Sequence, residues 1–437
     1  MIATLINAFK IQDLRKRLYF TLFMLVVVRF GSQIPVPGVD TDVFKDLFAN
    51  SGGAMNFFDA ITGGSFEQMS VFALNITPYI TSSIIMQLLT IAFPALEEMQ
   101  RDGEQGRKKM TQITRYLTIG LSVMESFFMA LGFGQSGYLE KFDVLHVLVL
   151  ITVLTAGSAV LMWIGEQITE HGVGNGISIV LTINIISRIP SDLSTLYQQF
   201  VKDKTVAKGT LSAVIIAAII IAIVVMVVVL QCAERRIPVQ YARKLQGRRQ
   251  VGGASSHIPL KVNTAGVIPV IFAQSILQTP VIIATLLGRQ NGTGFWSKVL
   301  NGMSQSHWFD PNNWVYTIGA AVYVALIIAF AYFYTSITFN PLEIANNMKK
   351  QGGFIPGIRP GRPTSDYLTG VLNNIILIGA IGLSIVCILP IMFNGLFNAD
   401  VSFGGTSLII IVGVIVETLK QVESQMMVRN YKGFLSE

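Results

Sequence analysis

Few residues of this chain are placed to do chemistry. Four histidines, His146, His171, His257 and His307, share no spacing that would bind a metal or pair with a nucleophile, and neither HExxH nor GxSxG occurs. Gly172, Gly174 and Gly176 are spaced GxGxG rather than GxGxxG. An apolar span precedes them instead of a strand, so nucleotide binding is excluded. Cys232 and Cys387 sit at the end of one apolar segment and inside another, as inert thiols. What remains is one acid and a group of cations. Glu125 stands well inside an apolar run, where a carboxylate is a functional candidate by default. It is either a proton relay or a partner for polar groups such as Thr81 and Asn263 at a helix seam that opens. The seam is preferred, because a coupled carrier usually needs several such groups and the chain offers few. Residues 232–262 hold Arg235, Arg236, Arg243, Lys244, Arg248, Arg249 and Lys261 against Glu234 alone. Guanidinium groups at that density suit an acidic or phosphate-rich partner, RNA included. A topogenic charge cluster is the plainer reading; it explains the sign of the loop and not its length. The chemistry is recognition, and nothing argues for an enzyme, a metal or a cofactor.

The elements that position these residues are membrane spans. Of 437 residues, 51% are hydrophobic and only 13% charged, and the mean hydropathy is +0.57. Soluble domains carry roughly 25% charged residues. Such a composition makes an all-α polytopic membrane protein. Apolar windows place ten spans near 19–36, 72–93, 115–134, 145–165, 176–190, 211–231, 263–287, 314–338, 368–393 and 405–424. Arg15, Lys16 and Arg17 precede the first, which runs into Arg29 and Pro35 with no small-residue cleavage site, so it reads as a span and not a removable signal. An even count puts both termini on one side. Most of the Lys and Arg lie there too, in the N-terminal segment, 101–115, 232–262, 338–367 and the tail. That bias places both termini in the cytosol; Lys202, Lys204 and Lys208, in the loop 191–208, run against it. Pro190 to Gly209 is the longest polar gap on the outer side and divides the spans five and five. Two halves of five must run in opposite directions, which permits an inverted repeat or marks only a convenient midpoint.

The spans are organised around residues 52–93. The stretch from Asn56 to about Ile61 is apolar but only two turns long, bracketed by Gly52, Gly53, Gly63 and Gly64, and a span needs about 20 apolar residues. The run behind it is long enough, yet it carries Asn75, Thr77, Pro78, Thr81, Ser82, Ser83 and Gln87, which are costly against lipid. Ile76 and Ile80 share one helical face. Two readings fit: a short plug folded against a pathway wall, or an interfacial helix followed by an ordinary span. The fifth span opens on Asn175 as its N-cap, and Ile177 and Leu181 repeat the i, i+4 pair. The two pairs suit a hydrophobic constriction, though helix packing alone produces such pairs readily. On the cytosolic side, 232–262 exceeds what joining two helices requires and is punctuated like a projecting hairpin. In 338–367, Arg359 sits between Gly-Ile and Pro-Gly, turn residues that would fix an exposed guanidinium.

Taken together, FGSQIPVPGVD, ITPYITSSIIMQLL, RKKMTQITRY, MWIGEQITEHGVGNGISI, ERRIPVQYARKLQGRR, SSHIPLKVNTAGVIPVIFA, FNPLEIANNMKKQGGFIPGIRPG and FGGTSLIIIVGV closely resemble the SecY family, across essentially the whole chain and in the right order. The resemblance implies a clamshell of two pseudo-symmetric inverted halves, 1–200 and 201–437, around an hourglass pore. A lateral gate lies between the second and the seventh to eighth spans. It implies a pore ring of Ile76, Ile80, Ile177, Leu181, Ile271 and Ile410, Leu181 departing from an all-isoleucine ring. The plug would be Asn56, Phe57, Phe58, Asp59, Ala60, Ile61, Thr62, Gly63, Gly64 and Ser65, and the polar gate seam Thr81, Glu125 and Asn263. Arg243, Arg248, Arg249 and Arg359 fall in loops that would dock the SecA motor and the ribosome with its RNA. SecE and SecG would be membrane partners, signal peptides and translocating polypeptides the cargo, lipid the destination of inserted segments, and the bacterial inner membrane the location. No Walker motif occurs, so directional work must come from a docked partner. Two other classes of function stay open on the residues alone. One is a secondary solute carrier with a midplane site in the interrupted second span; the other is a scaffold that only anchors ribosomes.

Overall fold

The computed structural model describes residues 9–39, 59, 62–135, 142–202, 206–241, 244–246, 249–251, 255–286, 295–309, 314–397 and 405–433. A helix stands at each of the ten apolar windows. These are α1 (Gln12–Gly31), α2 (Thr77–Ala92), α4 (Gly103–Gln135), α5 (Val144–His171), α6 (Gly176–Phe200), α7 (Val206–Cys232), α8 (Ile268–Leu286), α10 (Ile318–Thr338), α12 (Arg362–Phe397) and α13 (Gly405–Gly433). Short helices α3 (Pro94–Arg101), α9 (Phe295–Met303) and α11 (Pro341–Lys350) lie between them. Among the described residues six helices are long and apolar enough to cross a membrane, or seven if α2 and α3 are counted as one bent span.

Local chemistry sets the helix ends. Asp143 caps α5, its carboxylate accepting from the Val144 N–H, and the Asn175 side chain caps α6 by accepting from the Ser178 N–H. The second apolar window turns helical only at Thr77. Asn75 adopts a left-handed φ of 52°, and Pro78 occupies the first turn, where its missing N–H costs nothing. At its other end Phe93 is extended, as a residue before proline prefers, and the chain bends by 110° into α3. The fifth span runs past its expected end. α6 continues through Pro190 to Phe200, because the turn beyond the proline buries Asp192 and Leu196. The polar gap expected from Pro190 to Gly209 therefore shrinks to the residues between α6 and α7.

The all-α expectation misses one element. Residues 234–261 form the expected hairpin, with β1 (Glu234–Tyr241) antiparallel to β4 (Ser255–Lys261) from Glu234 opposite Lys261 to Gln240 opposite Ser255. Its second edge pairs with β5 (Gly353–Phe354), tying this loop to the next one. Between β1 and β4, β2 (Lys244–Gln246) pairs with β3 (Arg249–Val251). Ile237, Val239 and Leu260 bury one face against Met348, Ile355 and Leu368, which anchors the loops on α11 and α12.

Two large cores lie on either side of residue 200. One gathers Val36, Phe66, Leu74, Phe133, Leu150 and Leu154, the other Val227, Leu277, Trp308, Tyr323, Ile327 and Leu383. Glycines allow the closest crossings: a Cβ on Gly176 would lie 1.9 Å from the Gly165 carbonyl oxygen, and one on Gly157 1.9 Å from that of Val71. Backbone has nowhere to retreat, and overpacking a core costs about 1–3 kcal/mol. Gly176→Ala should therefore lower the thermal unfolding midpoint of the purified protein in detergent. A melt superimposable on the unsubstituted protein would refute so close an approach of α5 and α6.

Candidate functional site

Four helices contribute aliphatic side chains to a common cluster that includes Ile80 from α2, Leu181 and Ile185 from α6, Ile271 from α8 and Ile410 and Ile411 from α13. Ile177 and Ile76 pack with Ile80 in an adjoining cluster. The six residues of the expected ring therefore form a connected set, but not equivalently. Ile76 ends the turn before α2 and is fully buried, its carbonyl accepting from the Ile80 N–H at 3.0 Å.

Two cavities meet at this set. One, of about 550 Å³, is lined by polar groups including Gln87, Arg115, Glu166, Glu170 and Ser178. The other, of about 430 Å³, is lined by Thr77, Thr81, Glu125, Gln274, Gln278 and Ser407 among apolar neighbours. Ile80, Ile84, Leu181, Ile271 and Ile410 line both. The order along each helix is informative. On α8 and the residue before it, Val267 and Ile268 face the first cavity, Gln274 and Gln278 the second, and Ile271 stands between them. On α13, Val414 faces the first, Thr406 and Ser407 the second, and Ile410 stands between them. Two polar-edged chambers thus share one aliphatic waist.

Of the three seam residues, Thr81 and Glu125 line the second cavity together, and among the described residues no basic side chain lines it with them. The Thr81 hydroxyl donates to its own helix, at Thr77 O, 3.0 Å away. Asn263 is buried ahead of α8 and is not among the residues lining the cavity. Gln274 and Gln278, each 4% exposed, bring amides to it instead. Sequence reasoning passed over them, although two amides four apart within an apolar run were a readable signal.

Of the expected plug, Asn56, Phe57, Phe58, Ala60 and Ile61 lie outside the described residues. Asp59, Thr62, Gly63 and Ser65 are buried against α1 and α6, and Gly64 is half-buried. Among the docking residues, Arg243 and Arg248 lie outside the described residues, and Arg249 opens β3. Arg359 is exposed between Gly357 and Gly361, whose φ angles of 84° and 105° belong to glycine. Its carbonyl accepts the Thr364 hydroxyl at 2.8 Å, which pins the loop that presents the side chain.

Comparison with known proteins gives the family and the fold. The SecY family model matches residues 70–419. The protein translocase subunit SecY of Halalkalibacterium halodurans is 44% identical over the full length of both chains. Two solved structures share the fold. A SecY channel, studied for a plug domain that stabilises its closed state and maintains a membrane seal, matches with a TM-score of 0.60 at 19% identity. That match covers 94% of this chain and 92% of the other. Sec61 from a canine ribosome-channel complex of the endoplasmic reticulum matches with a TM-score of 0.61 at 18% identity, with the same coverage.

Proposed function

The chain belongs to the SecY family, and on that premise we propose that it is the pore-forming subunit of a bacterial protein translocase, a multi-pass membrane protein with no catalytic role of its own. The observation that carries this reading is the pair of chambers meeting at Ile80, Ile84, Leu181, Ile271 and Ile410. A ring of branched apolar side chains closes on itself or around an extended polypeptide, limiting ion flow without reading sequence. The carrier reading has no support, since the relatives matched are translocase subunits.

The finer reading is as follows. Ten spans form two inverted halves, 1–200 and 201–437, with both termini in the cytosol of the inner membrane. The two cores on either side of residue 200 support that division. Residues 56–65 form the plug, held against α1 and α6 through Gly63. The second cavity, with Thr81 and Glu125 on its wall and Asn263 beyond, is the seam through which apolar signal segments partition into lipid, as hydrophobic segments favour. SecE and SecG flank the subunit. The hairpin and the Arg359 loop, joined through β1 and β5, dock the SecA motor or the ribosome.

The test is a disulfide scan. A single Cys replaces Ile80, Ile177, Ile271 or Ile410 in turn, and a secretory polypeptide bearing its own Cys is stalled in transit. Crosslinks are expected from all four positions to one translocating segment. Silence at all four, with lipid-facing controls equally silent, would reject the polypeptide path.

A further inference from the structure

Arg29 and Arg188 lie within membrane-spanning helices and bond to protein, which is costly unless they serve something. Arg29, near the end of α1, donates from Nη1 to the Gly63 carbonyl at 3.2 Å. Ser187 of α6 donates its hydroxyl to the same carbonyl at 3.3 Å. The residue after it, Arg188, makes the charged contact. Its Nη1 lies 2.6 Å from Asp59 Oδ2 and also pairs with Glu67 Oε2. The Asp59 contact is Coulombic rather than an aligned hydrogen bond.

Burial makes the Asp59 pairing consequential. Its side chain is 0% exposed, whereas Arg188 is 21% and Glu67 32% exposed. Asp59 Oδ1 accepts the Glu67 N–H at 2.8 Å and its carbonyl accepts the Gly64 N–H at 3.2 Å, so the carboxylate is built into the turn it stabilises. Gly63 and Gly64, both with positive φ, lay that turn flat against α6, where a Cβ on Gly63 would lie 2.4 Å from Asn184 O. Among the described residues, the charged groups acting on Asp59 are Arg188, Glu67 and Asp192, and Arg188 is the one cation of the three. Burial holds the Asp59 carboxyl above the ordinary carboxylate range even against the pull of Arg188.

We infer that Arg188 is the positioning residue that seats the plug, by neutralising the buried Asp59 carboxylate across the joint between the plug and α6. The inference rests on the plug reading above. Breaking a buried pair from one side leaves an uncompensated charge and costs far more than removing both partners. Without Arg188, Asp59 in the seated plug must be ionised and unpaired or must take up a proton. Released into water it returns to an ordinary carboxyl. The seated form therefore binds the proton more tightly, and acid favours seating.

The experiment compares resting ion conductance of the full channel complex in proteoliposomes, with equal pH on both faces. Arg188→Gln should leak roughly tenfold or more above the unsubstituted channel at about pH 7.5, and the leak should fall toward about pH 5.5. Adding Asp59→Asn to it should restore the seal at both pH values, and Arg188→Lys should keep most of it. A channel lacking residues 57–65 is measured beside them. If that deletion leaks while Arg188→Gln is tight, the positioning role is overturned and the plug stands. If the deletion itself is tight, the plug reading falls. If the double variant leaks like the single one at every pH, Arg188 serves the helix rather than the carboxylate, and the inference is wrong.

Discussion

Deleting residues 57–65 should open the resting channel to ions, raising conductance at least about tenfold, the factor that accompanies each 1.4 kcal/mol of lost barrier. The reason is the thinness of the waist. The hydrocarbon core of a bilayer is about 30 Å thick. The waist is short: Ile80, Ile84, Leu181, Ile271 and Ile410 alone among the described residues line both cavities. A low-dielectric layer that thin gives an ion a far smaller desolvation barrier than lipid does. Sealing then needs a second obstacle, the role proposed above for the plug, whose Asp59, Thr62 and Ser65 are buried. Its removal also uncovers Arg29 and Arg188, cations that draw water toward the waist. Single-channel recording in planar bilayers, with no translocating polypeptide present, is the measurement. Conductance unchanged by the deletion would refute the sealing role and leave the waist as sufficient.

The waist was legible in the sequence because aliphatic pairs four apart on a helix share a face whatever the helix packs against. Ile80 with Ile76, and Leu181 with Ile177, needed only periodicity to be noticed, and the family resemblance added Ile271 and Ile410 from spans far away. The hairpin was legible for a different reason: residues 232–262 were too long for a connection and were punctuated by proline and glycine. What escaped depends on tertiary context. Asn75 in a left-handed conformation delays α2 to Thr77; asparagine tolerates that conformation, but its presence in an apolar window does not require it. Pro190 suggested a helix end, yet buried side chains beyond it carry α6 on to Phe200. Arg188 is one charge close to the end of an apolar window. Its partners, Asp59 and Glu67, are more than a hundred residues away, and nothing in local spacing links them. Asn263 shows the opposite failure. Its type suited a polar seam, but the cavity wall is lined by Gln274 and Gln278 from the helix that follows it.

Arg359→Glu should reduce motor-driven export by about tenfold or more at limiting motor concentration, while leaving the resting conductance of the channel untouched. Truncating one partner of a well-formed interfacial charge pair costs about 2–5 kcal/mol, and reversal adds repulsion to that loss. Such an effect needs a side chain held in place rather than one free to swing away. Gly357 and Gly361 turn the chain on either side of Arg359, the Thr364 hydroxyl holds its carbonyl, and Ile355 is buried beneath the loop. The neighbouring β5 strand joins the loop to β1, so the basic hairpin and Arg359 form one platform. Exposed Arg236 makes a useful control, because its guanidinium is already occupied by Glu234 at 2.8 Å. Arg236→Glu should weaken export less than Arg359→Glu does. Because the lost term is electrostatic, raising the motor concentration should recover export in Arg359→Glu, and lower salt should make the unsubstituted channel's advantage larger. Export from Arg359→Glu that matches the unsubstituted channel at limiting motor would remove this residue from the docking surface. A deficit that no motor concentration repairs would place its role after docking.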